Sequence, residues 1–156
     1  MIDTERVTEQ SVEFLDAAYQ DIVEQARRLA DQYFEQARQL LAEVQKTHVP
    51  VVISIRQTSP NACSFYWARV HPGLDDEKGK IVTRTIPKGL GHKYPTGAFR
   101  FVKGQLNRLV RSYESRLAEL RQLAAENRAM RRSTLAWAGR YQRVLAFDDL
   151  TQSEVV

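Results

Sequence analysis

Three histidines, one cysteine and one tight acidic run are the residues that could bind a metal ion or start a covalent step. His48, His71 and His92 all fall in segments that read as connections, and no pair has metal-ligand spacing. Cys63 has no nucleophile-like glycine context and reads as a small, half-buried hairpin residue. Asp75-Asp76-Glu77 could meet a divalent cation, but it lacks the glycine and the spaced oxygen ligands of a calcium loop and reads as solvated. No two carboxylates share a helix face in the manner of an acid–base pair. The expectation is a non-enzymatic protein with no catalytic residue, no metal and no cofactor.

What the middle of the chain does carry is positive charge among aromatic rings. Arg56, Arg69, Lys78, Lys80, Arg84, Lys88 and Lys93 alternate with Phe65, Tyr66, Trp67 and Tyr94. Basic residues on a β-ribbon can be positioned along a groove by phosphates, and aromatic faces can stack on unpaired bases. On a strand, Phe65, Trp67 and Arg69 share one face, and Tyr66, Ala68 and Val70 the other. One face must pack on helices, so Phe65 and Trp67 are either core with Arg69 at the rim, or free to stack. The glycines of Lys88-Gly89-Leu90-Gly91-His92-Lys93 permit close approach to a phosphate at a helix entry; the alternative is a tight turn with solvated lysines. The candidate nucleic-acid-binding residues are Arg56, Trp67, Arg69, Arg84, Lys88, Gly89, Gly91, His92, Lys93, Tyr94, Arg100 and Lys103.

These residues need a scaffold, and hydrophobic periodicity supplies one. From about Glu9 to Thr47, Leu15, Tyr19, Ile22, Ala26, Leu29, Tyr33, Gln36 and Leu40 recur at spacings of four and three, the seam of a coiled coil. Val12, Val23, Ala30, Ala37, Leu41 and Val44 widen that face, and Pro50 ends any helix before it. Val51 to Thr58, Ser64 to Val70 and Ile81 to Ile86 alternate as strands, giving an antiparallel three-stranded meander over 50–87 with a loop of about five residues at 58–62. The basic glycine loop is 88–95. Thr96 is positioned to cap a second long helix over 96–147, with Phe99, Val102, Leu106, Leu109, Tyr113, Leu117, Leu120 and Ala124 on its buried face. That pattern weakens at Glu126-Asn127-Arg128 and resumes through Met130, Thr134, Trp137, Tyr141 and Val144. A frayed tail over 148–156 follows. The fold expected is α+β and a single domain over 1–156: two long, antiparallel, coiled-coil-like helices flanking a small sheet inserted between them and capping one end. A second protomer could cover the wide face of the first helix, making a homodimer.

Charge is divided along this scaffold. Residues 1–47 hold 5 basic and 10 acidic side chains, residues 48–145 hold 18 and 6, and the last eleven hold none and 3. The second helix alone carries ten arginines and Lys103 against Glu114, Glu119 and Glu126. Arginine's planar fork suits phosphate, and Arg100, Lys103, Arg111 and Arg128 could line a strip. A half-chain imbalance of this size points to a polyanion, nucleic acid first. The competing explanation is internal pairing of an acidic helix with a basic one. At 156 residues and 43% hydrophobic the chain can bury a core without disulfides, and no run approaches a membrane span. A soluble, cytoplasmic protein is expected, with no signal peptide visible at Met1 to Gln10.

Ser64-Phe65-Tyr66-Trp67-Ala68-Arg69, then Ile86-Pro87-Lys88-Gly89-Leu90-Gly91-His92-Lys93-Tyr94, then Ala98-Phe99-Arg100 resembles the central region of MobI-type conjugative mobilisation proteins. The likeness spans about residues 50–110, and the flanking helices add nothing to it. It implies a DNA-binding accessory factor that assists relaxase action at the origin of transfer in conjugation without cutting DNA. The partners so implied are double-stranded DNA at that origin and a relaxase or other transfer proteins. Two further readings stay open: a coiled-coil adaptor that binds a protein partner, and a protein binding single-stranded DNA or RNA in phage or plasmid replication.

Overall fold

The computed structural model describes residues 2–75 and 81–154. The element order is α1 (Thr4–Ala42), β1 (Val51–Ser59), β2 (Ala62–Asp75), β3 (Ile81–Thr85), a 3-10 turn (Thr96–Phe99) and α2 (Gly104–Glu154).

Helix α1 starts where Asp3 accepts a hydrogen bond from the Arg6 amide at 3.1 Å. It ends earlier than Pro50 alone requires. Gln45 takes a left-handed φ of 59°, and the Lys46 amide reaches back to the Leu41 carbonyl at 2.9 Å. That bond pattern closes the last turn and turns the chain out towards β1, so the expected helix to residue 47 stops at Ala42.

The strands form an antiparallel sheet in the order β1-β2-β3. Ile53 lies opposite Trp67, and Ile55 opposite Phe65, so these side chains share the face turned to the helices. The hairpin between β1 and β2 is tighter than five residues: Ser59 pairs with Ala62, leaving Pro60-Asn61 as the loop. β2 runs on to Asp75 through the stretch expected to be a connection. The acidic Asp76-Glu77, Lys78 and Lys80 lie outside the described residues.

The expected pair of coiled-coil helices flanking an inserted sheet is not the fold. In a coiled coil one stripe of a helix serves one partner helix, whereas the buried face of α1 is divided between α2 and the sheet. Tyr33 donates its hydroxyl hydrogen to the Val51 carbonyl at 2.7 Å, and the Tyr19 hydroxyl accepts from the Cys63 amide at 2.8 Å. Towards α2, Asn127 donates to the Leu15 carbonyl at 2.9 Å and Tyr113 to Gln36 at 3.0 Å. The sheet is open and lies lengthwise along α1, so it neither caps one end nor is inserted between two helices. Leu29 is partly buried, not a central seam residue, and Val44 is 62% exposed beyond the helix end.

Trp67 is at the centre of the core, its ring edge-on to Tyr33 at 4.9 Å and to Phe99 at 5.4 Å. Thr96 caps no long helix: a 3-10 turn starts there, and α2 begins only at Gly104, whose φ is 63°. Asn107 bridges the two, donating to the carbonyls of Phe99 and Val102. Phe99, Val102 and Leu106 are buried across this break. α2 then continues unbroken through Asn127, where the weakened pattern marks a polar contact to α1. Beyond it the buried face is rotated from the expected one: Ala138 is buried, whereas Met130, Trp137 and Val144 are exposed. The backbone expected to fray from Asp148 is helical to Glu154. Among the described residues no helix is long and apolar enough to cross a membrane.

Candidate nucleic-acid interface

Past Ile86, whose amide donates to the Trp67 carbonyl at 2.9 Å, β3 leaves the sheet and β2 has an open edge. Side chains close that edge. The Cys63 amide donates to Tyr19, the Phe65 carbonyl accepts from Arg121 Nε at 2.6 Å, and the Trp67 amide donates to the Tyr94 hydroxyl at 3.0 Å. An unpaired edge would otherwise be costly or adhesive.

Under this edge sits a buried ion pair that joins the sequence motifs. Glu114 and Arg121 are 10% and 7% exposed at their side chains and 2.8 Å apart. Glu114 also accepts from the Trp67 indole at 3.0 Å and the Tyr94 amide at 2.9 Å. Arg121 also donates to the His92 carbonyl at 2.9 Å, and its guanidinium lies over the Tyr94 ring. A buried pair is tolerable only when hydrogen bonds satisfy it in this way. Trp67 and Tyr94 are therefore core residues, not stacking platforms, and the backbone of the glycine loop is fixed from beneath. Burial raises the Tyr94 phenol above its ordinary range, partly offset by the Trp67 amide and Arg121.

The exposed members of the candidate set fall into separate groups. Arg69 and Arg84 stand directly opposite each other on β2 and β3, both exposed. The Arg69 guanidinium lies 4.4 Å from the centre of the Phe101 ring. Phe101 and Lys103 border a hollow of about 550 Å³ with Lys46 and His48, so Lys46 and Lys103 lie near Arg69 at the end of the molecule where α1 stops. Lys88 and His92 line a different cleft with Arg121 and Arg128. Lys88 curls onto its own loop, its ammonium donating to the carbonyls of Gly89 and Gly91. Gly89 needs its φ of 85°, a conformation side chains resist. Lys93 lies in a third hollow with Arg111. Arg100 lies back over Gly97, and Arg56 is exposed on the opposite sheet face from Trp67.

Internal pairing accounts for little of the charge. Among the described residues Arg131–Asp16, at 2.8 Å, is the one ion pair joining the two helices. Burial pushes the Cys63 thiol up, against a smaller opposite pull from Arg27, which keeps thiolate scarce. Sequence reasoning passes over Glu114 and Arg121 as ordinary members of a charged helix. The available signal is their position: both interrupt the apolar stripe of Val110, Tyr113, Leu117 and Ala124, where an unpaired charge is not tolerated.

No curated protein and no solved structure matches the chain. A family model does, that of the MobI protein, over residues 22–135, which is most of α1, the whole sheet, the glycine loop and α2 past Asn127. The segments carrying the core tryptophan, the loop and the buried pair all lie within that match, and the chain belongs to the MobI family, whose association is with conjugative mobilisation.

Proposed function

We propose that this chain is a DNA-binding accessory factor of conjugative transfer, holding duplex DNA at the origin of transfer while a relaxase acts on it. The observation that carries the reading is the Arg69–Arg84 pair. Like charges directly opposite on neighbouring strands destabilise a sheet, and a polyanion lying across both removes that cost. Lys46 and Lys103 at the same end, with Arg100 nearby in sequence, extend the cationic surface. Arg56, Lys88, Lys93 and the backbone at Gly89 and Gly91 belong to the proposed contact surface as outer positions, whereas Trp67, His92 and Tyr94 serve it by positioning the loop. Duplex bound this way is gripped by its phosphates, so affinity is high at low salt and only modestly dependent on sequence. Mobility shifts on origin duplex, unrelated duplex and single strands test it. Binding to both duplexes with a preference for the origin is the expected result. Absence of binding at low salt contradicts it and favours a protein partner.

A second observation supports self-association. Phe14 is 72% exposed and Trp137 60%, at the end of the molecule away from Arg69 and Arg84. With Met130, Phe14 borders an open groove of about 530 Å³. There the start of α1 carries Glu5, Glu9 and Glu13 and the end of α2 carries Arg132, Arg140 and Arg143. Two copies crossing these ends would bury the rings and pair the charges.

A further inference from the structure

Leu90 stands at the turn of the glycine loop and is the most exposed large apolar side chain among the described residues, at 107% against 74% for Ile2, the next. A lone exposed leucine is ordinary on a protein surface. A leucine held out by a braced loop is not, because a free loop would fold it back onto the protein. Both feet of this loop are fixed. The Ile86 amide donates to the Trp67 carbonyl at 2.9 Å, the His92 carbonyl accepts from Arg121 at 2.9 Å, and the Tyr94 amide donates to Glu114 at 2.9 Å. Across the turn, the Lys88 ammonium donates to the carbonyls of Gly89 and Gly91, so it holds the backbone on both sides of the leucine. Gly91 is bare for no reason of folding: its φ lies outside the left-handed region, and a Cβ there would meet only the Lys93 amide nitrogen at 4.0 Å. Bare backbone beside a projecting side chain admits a closely approaching surface. The charge around the loop selects an anionic one. Lys88, His92 and Lys93 lie between Pro87 and Pro95, and no acidic residue does. The loop meets α2 at Glu114 and Arg121; Arg111 before them shares a hollow with Lys93, and Arg128 beyond them shares one with Lys88 and His92.

We propose that Leu90 is a wedge that enters duplex DNA from the minor groove, unstacks one base step and kinks the helix. This role rests on the duplex reading above and adds a deformation that phosphate contacts alone do not make. Proteins that kink DNA insert apolar side chains of this kind between base pairs, and a loop ordered before binding gives up little freedom in doing so. Leu90 is six positions beyond Arg84, a span of at most about 20 Å. One duplex can therefore touch the arginine pair and the leucine within about six base pairs. Burial of the leucine and loss of stacking are opposed and of similar size, so the wedge sets the shape of the bound DNA more than its affinity.

The test uses the full chain on origin duplexes of two kinds: one with a fluorescent donor and acceptor at its ends, and a series carrying 2-aminopurine at successive positions. Anisotropy reads binding separately. The unmodified chain should brighten 2-aminopurine at one step and draw the duplex ends together through a kink of about 20–90°. Leu90→Ala, at an exposed position where folding should be unchanged, should bind within about tenfold of the unmodified affinity and with the same salt slope. It should nevertheless lose the brightening and most of the kink, whereas Leu90→Met should keep both. The Arg69→Ala, Arg84→Ala variant should need more protein to bind but should brighten the probe once the duplex is saturated. A Leu90→Ala complex as bright and as kinked as the unmodified one would overturn the proposal. So would bound duplex that stays stacked and straight, a result that leaves the duplex reading standing and gives Leu90 to a protein partner. No duplex binding by anisotropy overturns both readings, and is told apart from loss of the wedge alone by that signal.

Discussion

Glu114 and Arg121 tie α2 to β2 and the glycine loop, because Trp67, Tyr94, His92 and Phe65 all bond to them. Removing one partner strands the other as an uncompensated buried charge. Glu114→Ala should therefore lose about 3–5 kcal/mol in urea unfolding, and Glu114→Leu combined with Arg121→Met should cost less than the sum of the single changes. Tyr33 supplies a second test at this scale. Burial raises its phenol well above the ordinary value of 10.0. The folded state thus holds the proton more tightly than the unfolded state. The resulting stability is complete below about pH 10 and is lost as the pH climbs above it. Tyr33→Phe should flatten that alkaline decline while costing roughly 1 kcal/mol at neutral pH, through loss of the bond to Val51. The sequence shows that Phe65, Trp67 and Arg69 share a face, since alternation dictates it. It does not show which face meets the helices, because that depends on the register that sets Ile53 against Trp67. For the same reason Trp67 is legible as either core or platform until the partner strand is known.

Elements that follow from strict periodicity are legible along the chain, and those that depend on single-residue geometry are not. The strands show in the alternation, but the two-residue hairpin loop follows from a local register shift near Gln57 that no composition reveals. The early end of α1 depends on Gln45 adopting a left-handed turn that glycine usually supplies. Gln45→Gly should accordingly raise stability by about 0.5–1 kcal/mol, read as a higher melting temperature, because it relieves the left-handed strain. A fall instead would show that the glutamine side chain supports the turn. The break before α2 is hidden for a different reason. Phe99, Val102 and Leu106 keep helical spacing whether the chain is one helix or a 3-10 turn followed by another.

Across the whole molecule, the Arg69–Arg84 group of cations and the exposed rings of Phe14 and Trp137 lie at opposite ends. Lys46, Arg69, Arg84 and Lys103 gather where α1 stops, while Phe14, Met130 and Trp137 are exposed where it starts. The charge imbalance is plain in the sequence; its lack of internal neutralisation is not, because pairing depends on how α1 and α2 are rotated. If the apolar end joins two copies, the mass in solution should be that of a dimer, and Phe14→Ser with Trp137→Ser should yield a folded monomer. A monomeric unmodified chain would refute that arrangement. The central claim is that Arg69 and Arg84 meet DNA phosphates, and salt dependence measures it most directly. With about 4–6 phosphates neutralised, the logarithm of the duplex binding constant should fall against the logarithm of salt with a slope of about −4 to −5. In the Arg69→Ala, Arg84→Ala variant, with folding unchanged, the slope should become shallower by about 2 on every duplex. A slope near zero in the unmodified chain, or the same slope in the variant, would contradict the account.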